Sequence, residues 1–466
     1  MRIAAALLGL VILIGGGLLM LRAQNTATDV SLVVANGTVV TIDGTNRVLS
    51  PGSIAIDGQN IVAVDAPEAI SKAFRAKDTI DAMGQVVLPG LINTHTHAPM
   101  VLYRGLADDL PLMEWLEKYI FPAEAKTVSP EFVRVGTRLA ALEMIQSGTT
   151  AYADMYYFEE EIAKETKAAG LRGILGQTII QFPVADAKTP AEGLARAEAF
   201  IKAWKGDPLI VPAVAPHAMY TLDGPTLMAS RQLALRYKVP TIIHLAESQS
   251  EVQTAQERFN ASPVAYLDSL GFLGPGVLGA HAIWVSDADA AILKAKGVGL
   301  SHNPESNMKL SSGTAPVPKY LRDGLALGLG TDGAASNNDL DMFEAMRMAA
   351  LLHKLQSGDP RAVSAREALR MATMGGAAAL GMADRIGSLE AGTRADLIVV
   401  SMNRARQTPL YDPISHLVYA THGDDVESTI VNGKILMRGR RLATLNEAAI
   451  LKAARDIAAT VSAAVR

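Results

Sequence analysis

The chain has 466 residues, of which 49% are hydrophobic and 19% charged, a composition typical of a globular protein rather than a disordered one. Its 43 Lys and Arg against 47 Asp and Glu give a formal net charge of −4, so a nucleic-acid partner is not indicated. The chain contains 0 Cys, which excludes disulfides, a cysteine nucleophile, an iron–sulfur cluster and thiolate metal ligands; a tightly bound metal ion would need His, Asp or Glu.

The N-terminal segment, residues 1–28, is typical of a signal peptide or a membrane anchor. Arg2 precedes an uncharged apolar run over residues 3–21, and Ala23-Gln24 is a plausible processing point. Leu21 is larger than the residue that processing prefers at its position, and the run approaches the roughly 20 residues that span a bilayer. We expect an exported protein or one held at the membrane by this segment, and a cytoplasmic protein if the segment has no targeting role.

Short β-type runs occur near both ends of the remaining chain. They are Ser31–Asp43, Gly52–Asp65 and Thr79–Leu88 on one side, and Ala395–Ser401, Ser428–Val431 and Lys434–Met437 on the other. Turn signals split these runs, among them Asn36-Gly37 and Asn432-Gly433, and Asn-Gly between apolar β-runs is the strongest short hairpin signal. We predict a small composite β-sandwich domain built from residues 29–88 and 388–443.

The middle of the chain alternates short apolar runs with longer helical patterns. Three such pairs are Gly148–Asp154 with Glu159–Ala169, Leu209–Pro216 with Pro225–Tyr237, and Gly324–Gly330 with Asp339–Leu355. Repeated βα units indicate a parallel sheet, and about 300 residues favour a closed barrel over an open doubly wound sheet. The sequence therefore predicts an α/β protein with a TIM-like (β/α)8 barrel over residues 89–387 and an Ala-rich helix within 444–466.

Ligand-type side chains fall where predicted barrel strands end. His95 and His97 lie two residues apart in PGLINTHTHAPM, so both imidazoles can point to the same side of a strand and reach one ion. The same kind of position recurs after three later apolar runs, at His244 with Glu247, at His281 and at Asp332. Because barrel enzymes place their sites at the C-terminal edge of the strands, we predict one metal site there.

These motifs resemble those of the amidohydrolase superfamily, and more narrowly those of the methylthioadenosine/S-adenosylhomocysteine deaminases. The resemblance spans roughly Ser31 to Arg440. It rests on PGLINTHTHAPM, DLPLMEWLEKYIFPAE, SGTTAYADMYYF, APH, HLAES, HAIW, SHNPESNMKLSSGTAPVP and GTDGAASNNDLDMFEAM. It implies a hydrolase of carbon–nitrogen bonds in cyclic amidines that converts adenine-type nucleosides to inosine-type products and releases ammonia. Methylthioadenosine, S-adenosylhomocysteine and adenosine are the expected substrates.

The resemblance also implies one divalent metal ion per subunit. Its ligands would be His95, His97, His244 and Asp332, and the ion would be zinc, with iron(II) as the alternative. Binuclear relatives carry a carboxylated Lys at the end of the fourth barrel strand. This chain reads VPAVAPH there, without a Lys, so one ion is expected.

The resemblance further implies a role for each remaining site residue. Glu247 would protonate the ring nitrogen and carry a second proton to the leaving ammonia. Asp332 would take the proton from the attacking water, which His281 would orient and polarise. Glu124 would accept a hydrogen bond from a ribose hydroxyl, and His217 would contact the substrate together with Glu247 and Asp332.

Two alternatives stay open at this stage. One is a deaminase or chlorohydrolase acting on another N-heterocycle, such as guanine, a pterin or an s-triazine. The other is an extracytoplasmic metal-binding protein without turnover. Relatives can also offer the substrate an Arg before His217, for which Arg196 is the nearest candidate. Membrane contact through the N-terminal segment and assembly into a homo-oligomer are likewise left open.

Overall fold

The computed structural model describes residues 27–465. The predicted signal or anchor segment, residues 1–28, therefore lies outside the described residues except for Ala27 and Thr28, and export or anchoring stays a prediction. Among the helices of residues 27–465, none combines the length and the apolar character needed to cross a membrane.

The strands of this range fall into three groups, one near each end of the chain and one in the middle. In chain order they are β1 (Thr28–Val40), β2 (Val48–Asp57), β3 (Asn60–Asp65), β4 (Phe74–Asp81), β5 (Gln85–Pro89), β6 (Leu91–Thr96), β7 (Thr149–Tyr156), β8 (Arg172–Ile179), β9 (Ile210–Pro216), β10 (Thr241–Leu245), β11 (Val277–His281), β12 (Gly299–His302), β13 (Leu327–Leu329), β14 (Leu397–Ser401), β15 (Val426–Val431), β16 (Lys434–Arg438) and β17 (Arg441–Leu442).

The α-helices of the same range lie mostly between the middle strands. In chain order they are α1 (Pro67–Ala73), α2 (Leu112–Trp115), α3 (Phe121–Thr127), α4 (Pro130–Ser147), α5 (Glu159–Ala169), α6 (Pro190–Trp204), α7 (Gly224–Tyr237), α8 (Gln249–Phe259), α9 (Pro263–Ser269), α10 (Asp287–Lys296), α11 (Pro304–Lys309), α12 (Val317–Asp323), α13 (Met342–Ser357), α14 (Ala365–Arg370), α15 (Gly376–Ala379), α16 (Pro413–Tyr419) and α17 (Glu447–Val465).

Strands β6 to β13 form one parallel sheet in chain order, and β13 lies against β6, so the sheet curls to near closure. The strands β7 and β8 are buried along their whole length, as expected for parallel strands covered by helices outside and by side chains inside. The predicted α/β fold with a (β/α)8 barrel is confirmed. All eight strands point the same way, so their carboxyl ends meet at one rim.

The second sheet combines strands from both ends of the chain. Its order is β17-β16-β15-β14-β5-β1-β2-β3, with β4 paired to β1. The two halves meet where β5 pairs antiparallel with β14, with Val87 opposite Val399. Both residues are buried, so the apolar runs at the two ends of the sequence share one core.

The turn predicted at Asn36-Gly37 is wrong, because β1 runs straight through it. Asn36 has a φ of 63°, and the pairing of β1 with β2 shifts register here, so the two residues form a bulge. Beyond the bulge, β1 changes its other neighbour from β4 to β5. Gly37 fits because a Cβ there would come within 2.7 Å of Val87 Cγ2. Asn432-Gly433, by contrast, is the two-residue turn between β15 and β16.

A buried ion pair joins the barrel to the second sheet. Arg172 begins β8, and its Nε and Nη2 donate to the carboxylate of Asp396, just before β14, at 2.8 and 3.1 Å. The two side chains are 4% and 3% exposed. The same carboxylate accepts a 2.6 Å hydrogen bond from the backbone N–H of Asn432. One aspartate thus ties a barrel strand and a sheet turn together.

Asp396→Ala is expected to lower the free energy of unfolding by about 3–5 kcal/mol, because the Arg172 guanidinium would remain buried without its carboxylate partner, with only the oxygens of Pro208 and Asn432 as acceptors. Chemical denaturation measures the loss. The matched control is Asp78→Ala, which removes an ion pair with Arg438 whose side chains are 49% and 47% exposed and should change the stability little. Equal losses in the two variants would contradict this account of the junction.

Candidate active site

Six predicted site residues converge at the carboxyl rim of the barrel. They lie on or just after strand ends: His95 in β6 with His97 one residue beyond it, His244 in β10 with Glu247 two residues beyond the strand, His281 at the end of β11, and Asp332 three residues after β13. All are buried except the half-buried His97. Residues far apart in the sequence therefore share one small volume.

The imidazoles face one another and the carboxylate of Asp332. His95 Nε2 and His97 Nε2 lie 3.4 and 3.3 Å from Asp332 Oδ1, and His97 Nε2 lies 3.4 Å from His244 Nε2. Candidate ligand atoms of His95, His97 and His244 lie within 4.8 Å of one another, as do those of His95, His281 and Asp332. Ligand atoms about 2.0–2.2 Å from one ion lie up to about 4 Å apart. The distances of 3.3 and 3.4 Å given above fall within this limit, so His95, His97 and His244 could bind a divalent ion.

The hydrogen bonds of these histidines fit a metal ion. Neither ring nitrogen of His95 has a hydrogen-bond partner within residues 27–465, although both are buried. Such an orphaned polar atom is costly, and an ion would supply the missing partner. His97 Nδ1 lies 2.6 Å from the carbonyl oxygen of Met155, and His244 Nδ1 lies 2.9 Å from that of His217. Donation from Nδ1 to a carbonyl leaves Nε2 free as a ligand atom.

The pKa values of these histidines are shifted in different directions. Burial lowers the pKa of His95 to about 4 and that of His244 well below its ordinary value, so both are neutral at pH 7. Burial would also lower the pKa of His97, but its hydrogen bond to Asp332 raises it to about 9. Since a metal ligand must be the neutral imidazole, binding of an ion would displace this proton.

Asp332 is held from several sides. Its Oδ1 accepts a 2.8 Å hydrogen bond from the N–H of Gly333, and its Oδ2 accepts from the hydroxyls of Ser306 at 2.7 Å and Ser336 at 3.1 Å. Burial alone would raise the pKa of Asp332, but the imidazoles of His95 and His97, 3.4 and 3.3 Å from its Oδ1, hold it well below its ordinary value. The carboxylate is therefore charged and fixed in place at neutral pH.

His281 points into the same cluster. Its Nε2 lies 3.9 Å from both Glu247 Oε2 and Asp332 Oδ2, and its Nδ1 lies 2.9 Å from Asn307 Oδ1. The sequence did not single out Asn307 or the two serines that bind Asp332. They lie within SHNPESNM and GTDGAAS, motifs that carry the resemblance, but no spacing rule assigns them a role.

Glu247 lies on a tight turn between β10 and α8. The preceding Ala246 has a φ of 50°, a left-handed conformation that an alanine rarely adopts. The carboxylate of Glu251 accepts hydrogen bonds from the N–H of Ala246 at 3.1 Å and from the N–H of Glu247 at 2.9 Å. Burial raises the pKa of Glu247, and it raises that of Glu251 to about 7 against the effect of these hydrogen bonds.

A cleft of about 600 Å³, a volume that includes the space open to solvent at its mouth, lies over the cluster. Its walls combine the site residues with apolar and aromatic side chains; besides the histidines they include Met100, Leu112, Trp115, Leu116, Ile120, Phe121, Tyr156, Tyr157, Thr178, Tyr220 and Leu310. The helix α3 brings Glu124 to this wall, where its Oε1 accepts a 2.7 Å hydrogen bond from Tyr156. Burial raises the pKa of Glu124 to about 7, partly offset by that hydrogen bond.

The two remaining candidates for substrate contact differ in position. His217 lines the cleft, with Nδ1 3.1 Å from Thr221 Oγ1. Arg196 is not among the described residues that line the cleft. Its guanidinium forms ion pairs with Glu160 at 2.5 Å and with Asp186 at 3.2 Å. These two carboxylates occupy its guanidinium, so the described structure does not place Arg196 at the cleft wall.

Comparison with known proteins identifies the family of this chain. The family model for the amidohydrolase family matches residues 86–436. The chain belongs to the amidohydrolase family.

Among its relatives is a 5-methylthioadenosine/S-adenosylhomocysteine deaminase of Syntrophobacter fumaroxidans, which is 49% identical over 92% of this chain and 98% of the relative. A 5'-deoxyadenosine deaminase of Methanosarcina mazei is 44% identical over 92% of this chain and 99% of the relative. A crystal structure of an adenosine deaminase from Xanthomonas campestris with bound zinc superimposes with a TM-score of 0.92. It is 38% identical, over 94% of this chain and 100% of that one.

Proposed function

We propose that this chain is a metal-dependent aminohydrolase of adenine-type nucleosides. Its substrates are 5-methylthioadenosine, S-adenosylhomocysteine, 5'-deoxyadenosine or adenosine, and its products are the inosine-type nucleoside and ammonia. The observation that carries the proposal is the cluster of His95, His97, His244 and Asp332 beneath a cleft that also presents Glu247. The two relatives described above, each matched over 92% of this chain, are deaminases of such nucleosides.

We assign one ion, zinc, to His95, His97, His244 and Asp332. When bound, a divalent ion supplies a Lewis acid that makes a water molecule nucleophilic at neutral pH. In the overall reaction a carbon–oxygen bond forms at the ring carbon that carries the exocyclic amine. The carbon–nitrogen bond to that amine breaks, and ammonia leaves.

The proton transfers fall to three side chains of the rim. Burial raises the pKa of Glu247 and so favours its protonated form, and we assign to Glu247 the donation of a proton to the ring nitrogen next to the attacked carbon. Asp332 is ionised and accepts a proton from the attacking water. His281, 3.9 Å from both carboxylates, orients that water. After its first transfer Glu247 takes the proton of the newly added hydroxyl group and passes it to the departing amine, and the proton held by Asp332 then restores Glu247.

The cleft wall supplies the remaining contacts. Glu124 accepts a hydrogen bond from a ribose hydroxyl, and His217, which follows β9, contacts the substrate from another part of the wall. Trp115, Leu116 and Phe121 give the nucleoside an apolar surface. Burial of an apolar ring against such residues favours binding and excludes water from the reacting atoms.

The Michaelis constant for the nucleoside is expected to rise as the pH falls below about 7. Glu124 has its pKa raised to about 7, so its carboxyl group is charged above this pH and protonated below it. The charged form has only acceptor oxygens and can accept hydrogen bonds from two ribose hydroxyls, whereas one oxygen of the protonated form carries a donor O–H. Steady-state kinetics between pH 6 and 8 measures the effect. In Glu124→Gln the constant should be higher and insensitive to pH, and an unchanged pH profile in this variant would reject the assignment.

An ammonia-release screen of the purified full chain tests the proposed function. The panel is adenosine, 5'-deoxyadenosine, methylthioadenosine, S-adenosylhomocysteine, guanine and a chlorotriazine. Release of ammonia from at least one of the adenine nucleosides is expected, with little from guanine and no chloride from the triazine. Turnover of guanine or the triazine alone would replace the proposal with another ring hydrolysis. Absence of any turnover by protein holding one metal ion would refute it.

A further inference from the structure

Glu251 binds the turn that carries Glu247. Among the described residues, 27–465, it is not one of those that line the cleft. It is the third residue of α8 and is 2% exposed. Its two oxygens accept from two successive amides, Oε1 from Ala246 at 3.1 Å and Oε2 from Glu247 at 2.9 Å. The backbone at Glu247 is therefore fixed by a side chain four residues away.

The same turn is held from its carbonyl side. The oxygen of Ala246 accepts hydrogen bonds from the N–H of Ile283 at 3.0 Å and of Trp284 at 2.9 Å, in the segment that follows His281. Glu251 and this segment together hold Ala246 at its left-handed φ of 50°. An alanine released from them would return to negative φ, and the peptide that precedes Glu247 would rotate. The carboxyl group of Glu247 would then lose its place 3.9 Å from His281.

Glu251 differs from an ordinary helix cap. In a capping box the third residue of a helix accepts from the N–H of the N-cap residue. Glu367 does this for α14, where its Oε2 accepts from the N–H of Ser364 at 2.7 Å. Ser248 caps α8 in the usual way, accepting from the N–H of Glu251 at 3.1 Å. The carboxylate of Glu251, however, reaches past Ser248 to the two residues before it.

We propose that Glu251 is a positioning residue for deamination, holding two backbone amides so that the carboxyl group of Glu247 meets the substrate at the angle that proton transfer requires. The inference rests on the proposed function, in which Glu247 moves the protons.

The first test is Glu251→Gln in the full metal-loaded protein. Whichever way the amide is oriented, its NH2 group faces one of the two backbone N–H groups and that hydrogen bond is lost. We expect kcat to fall by about 10- to 100-fold, the effect of a displacement of about 1 Å at a reacting group. The Michaelis constant should stay within about threefold and the metal content should equal that of the parent, because Glu251 contacts neither substrate nor ligand atoms.

Glu367→Gln is the matched control. It removes a capping-box carboxylate that is not among the described residues lining the cleft, so it should lower the melting temperature without changing kcat. If Glu251→Gln behaves in the same way, with a lower melting temperature and parental kcat, Glu251 is only a cap and the proposal is overturned. An inactive parent protein would instead overturn the proposed function, which separates the two failures.

A double variant decides whether Glu251 acts through Glu247. If it does, Glu247→Gln combined with Glu251→Gln should be no slower than Glu247→Gln alone, because the group being positioned is already lost. Multiplication of the two single losses would overturn the proposal. Should Glu251→Gln fail to fold, Glu251→Asp is the second variant. It keeps the charge and both acceptor oxygens but holds them farther from the two backbone N–H groups, because its side chain is one methylene shorter. Its kcat should fall at least about fivefold. Parental kcat in Glu251→Asp, or failure of both variants to fold, would show a purely structural role.

Discussion

Glu247→Gln is expected to keep the metal ion and to lose at least about a hundredfold in kcat, within the range of about 10²–10⁴ for general acid–base catalysis. Glutamine fills about the same volume and can still form hydrogen bonds, but it has no acidic proton that it could transfer to the ring nitrogen. Because Glu247 is not one of the four assigned ligands, the ion should remain bound. Ammonia release under saturating substrate measures kcat, and elemental analysis of the same sample measures the metal.

The control for this variant is Glu257→Gln, an exposed carboxylate on α8 that lies outside the cleft. It should leave kcat and metal content at the parental values. Near-parental turnover in Glu247→Gln would reject the proton-transfer role. Loss of the ion in Glu247→Gln would instead place Glu247 among the ligands.

His244→Ala is expected to reduce the bound metal to well below one ion per chain and kcat by at least about a thousandfold. His244 is buried, and its Nε2 lies 3.4 Å from that of His97, so its removal takes one donor from a set of four and leaves a gap that water fills. Loss of one donor weakens binding steeply, and without the ion the cleft has no Lewis acid. Metal content after dialysis against a weak chelator, together with ammonia release, gives both quantities.

His422→Ala is the comparison, since His422 is an exposed histidine distant in sequence from the metal motifs. It should retain both metal and activity. Retention of a full equivalent of metal by His244→Ala would show that a different set of residues holds the ion.

The barrel and its rim could be predicted because the local pattern and the global fold agree. Apolar runs ending in His95, His244, His281 and Asp332 are buried parallel strands, and parallel strands in a barrel end at one rim. The spacing of His95 and His97 needs only the two-residue repeat of a strand. The structure brings these residues together from positions up to 237 apart.

Features that depend on long-range pairing could not be predicted. Asn36-Gly37 has the letters of a hairpin turn, and only the neighbours β4 and β5 make it a bulge within one strand. Ser248 and Glu251 have the spacing of a capping box, but the left-handed Ala246 determines where the carboxylate goes. Arg196 lies near His217 in the chain, and only the fold shows that its partners are Asp186 and Glu160.

A zinc titration of the metal-free full chain, followed by ammonia release from an adenine nucleoside, tests the central claim most directly. The claim is that three histidines and one aspartate of the barrel rim hold a single ion on which deamination depends. Activity should rise from near zero in proportion to added zinc and level off at one equivalent per chain. Full activity without metal, or a rise that continues to two equivalents, would contradict it.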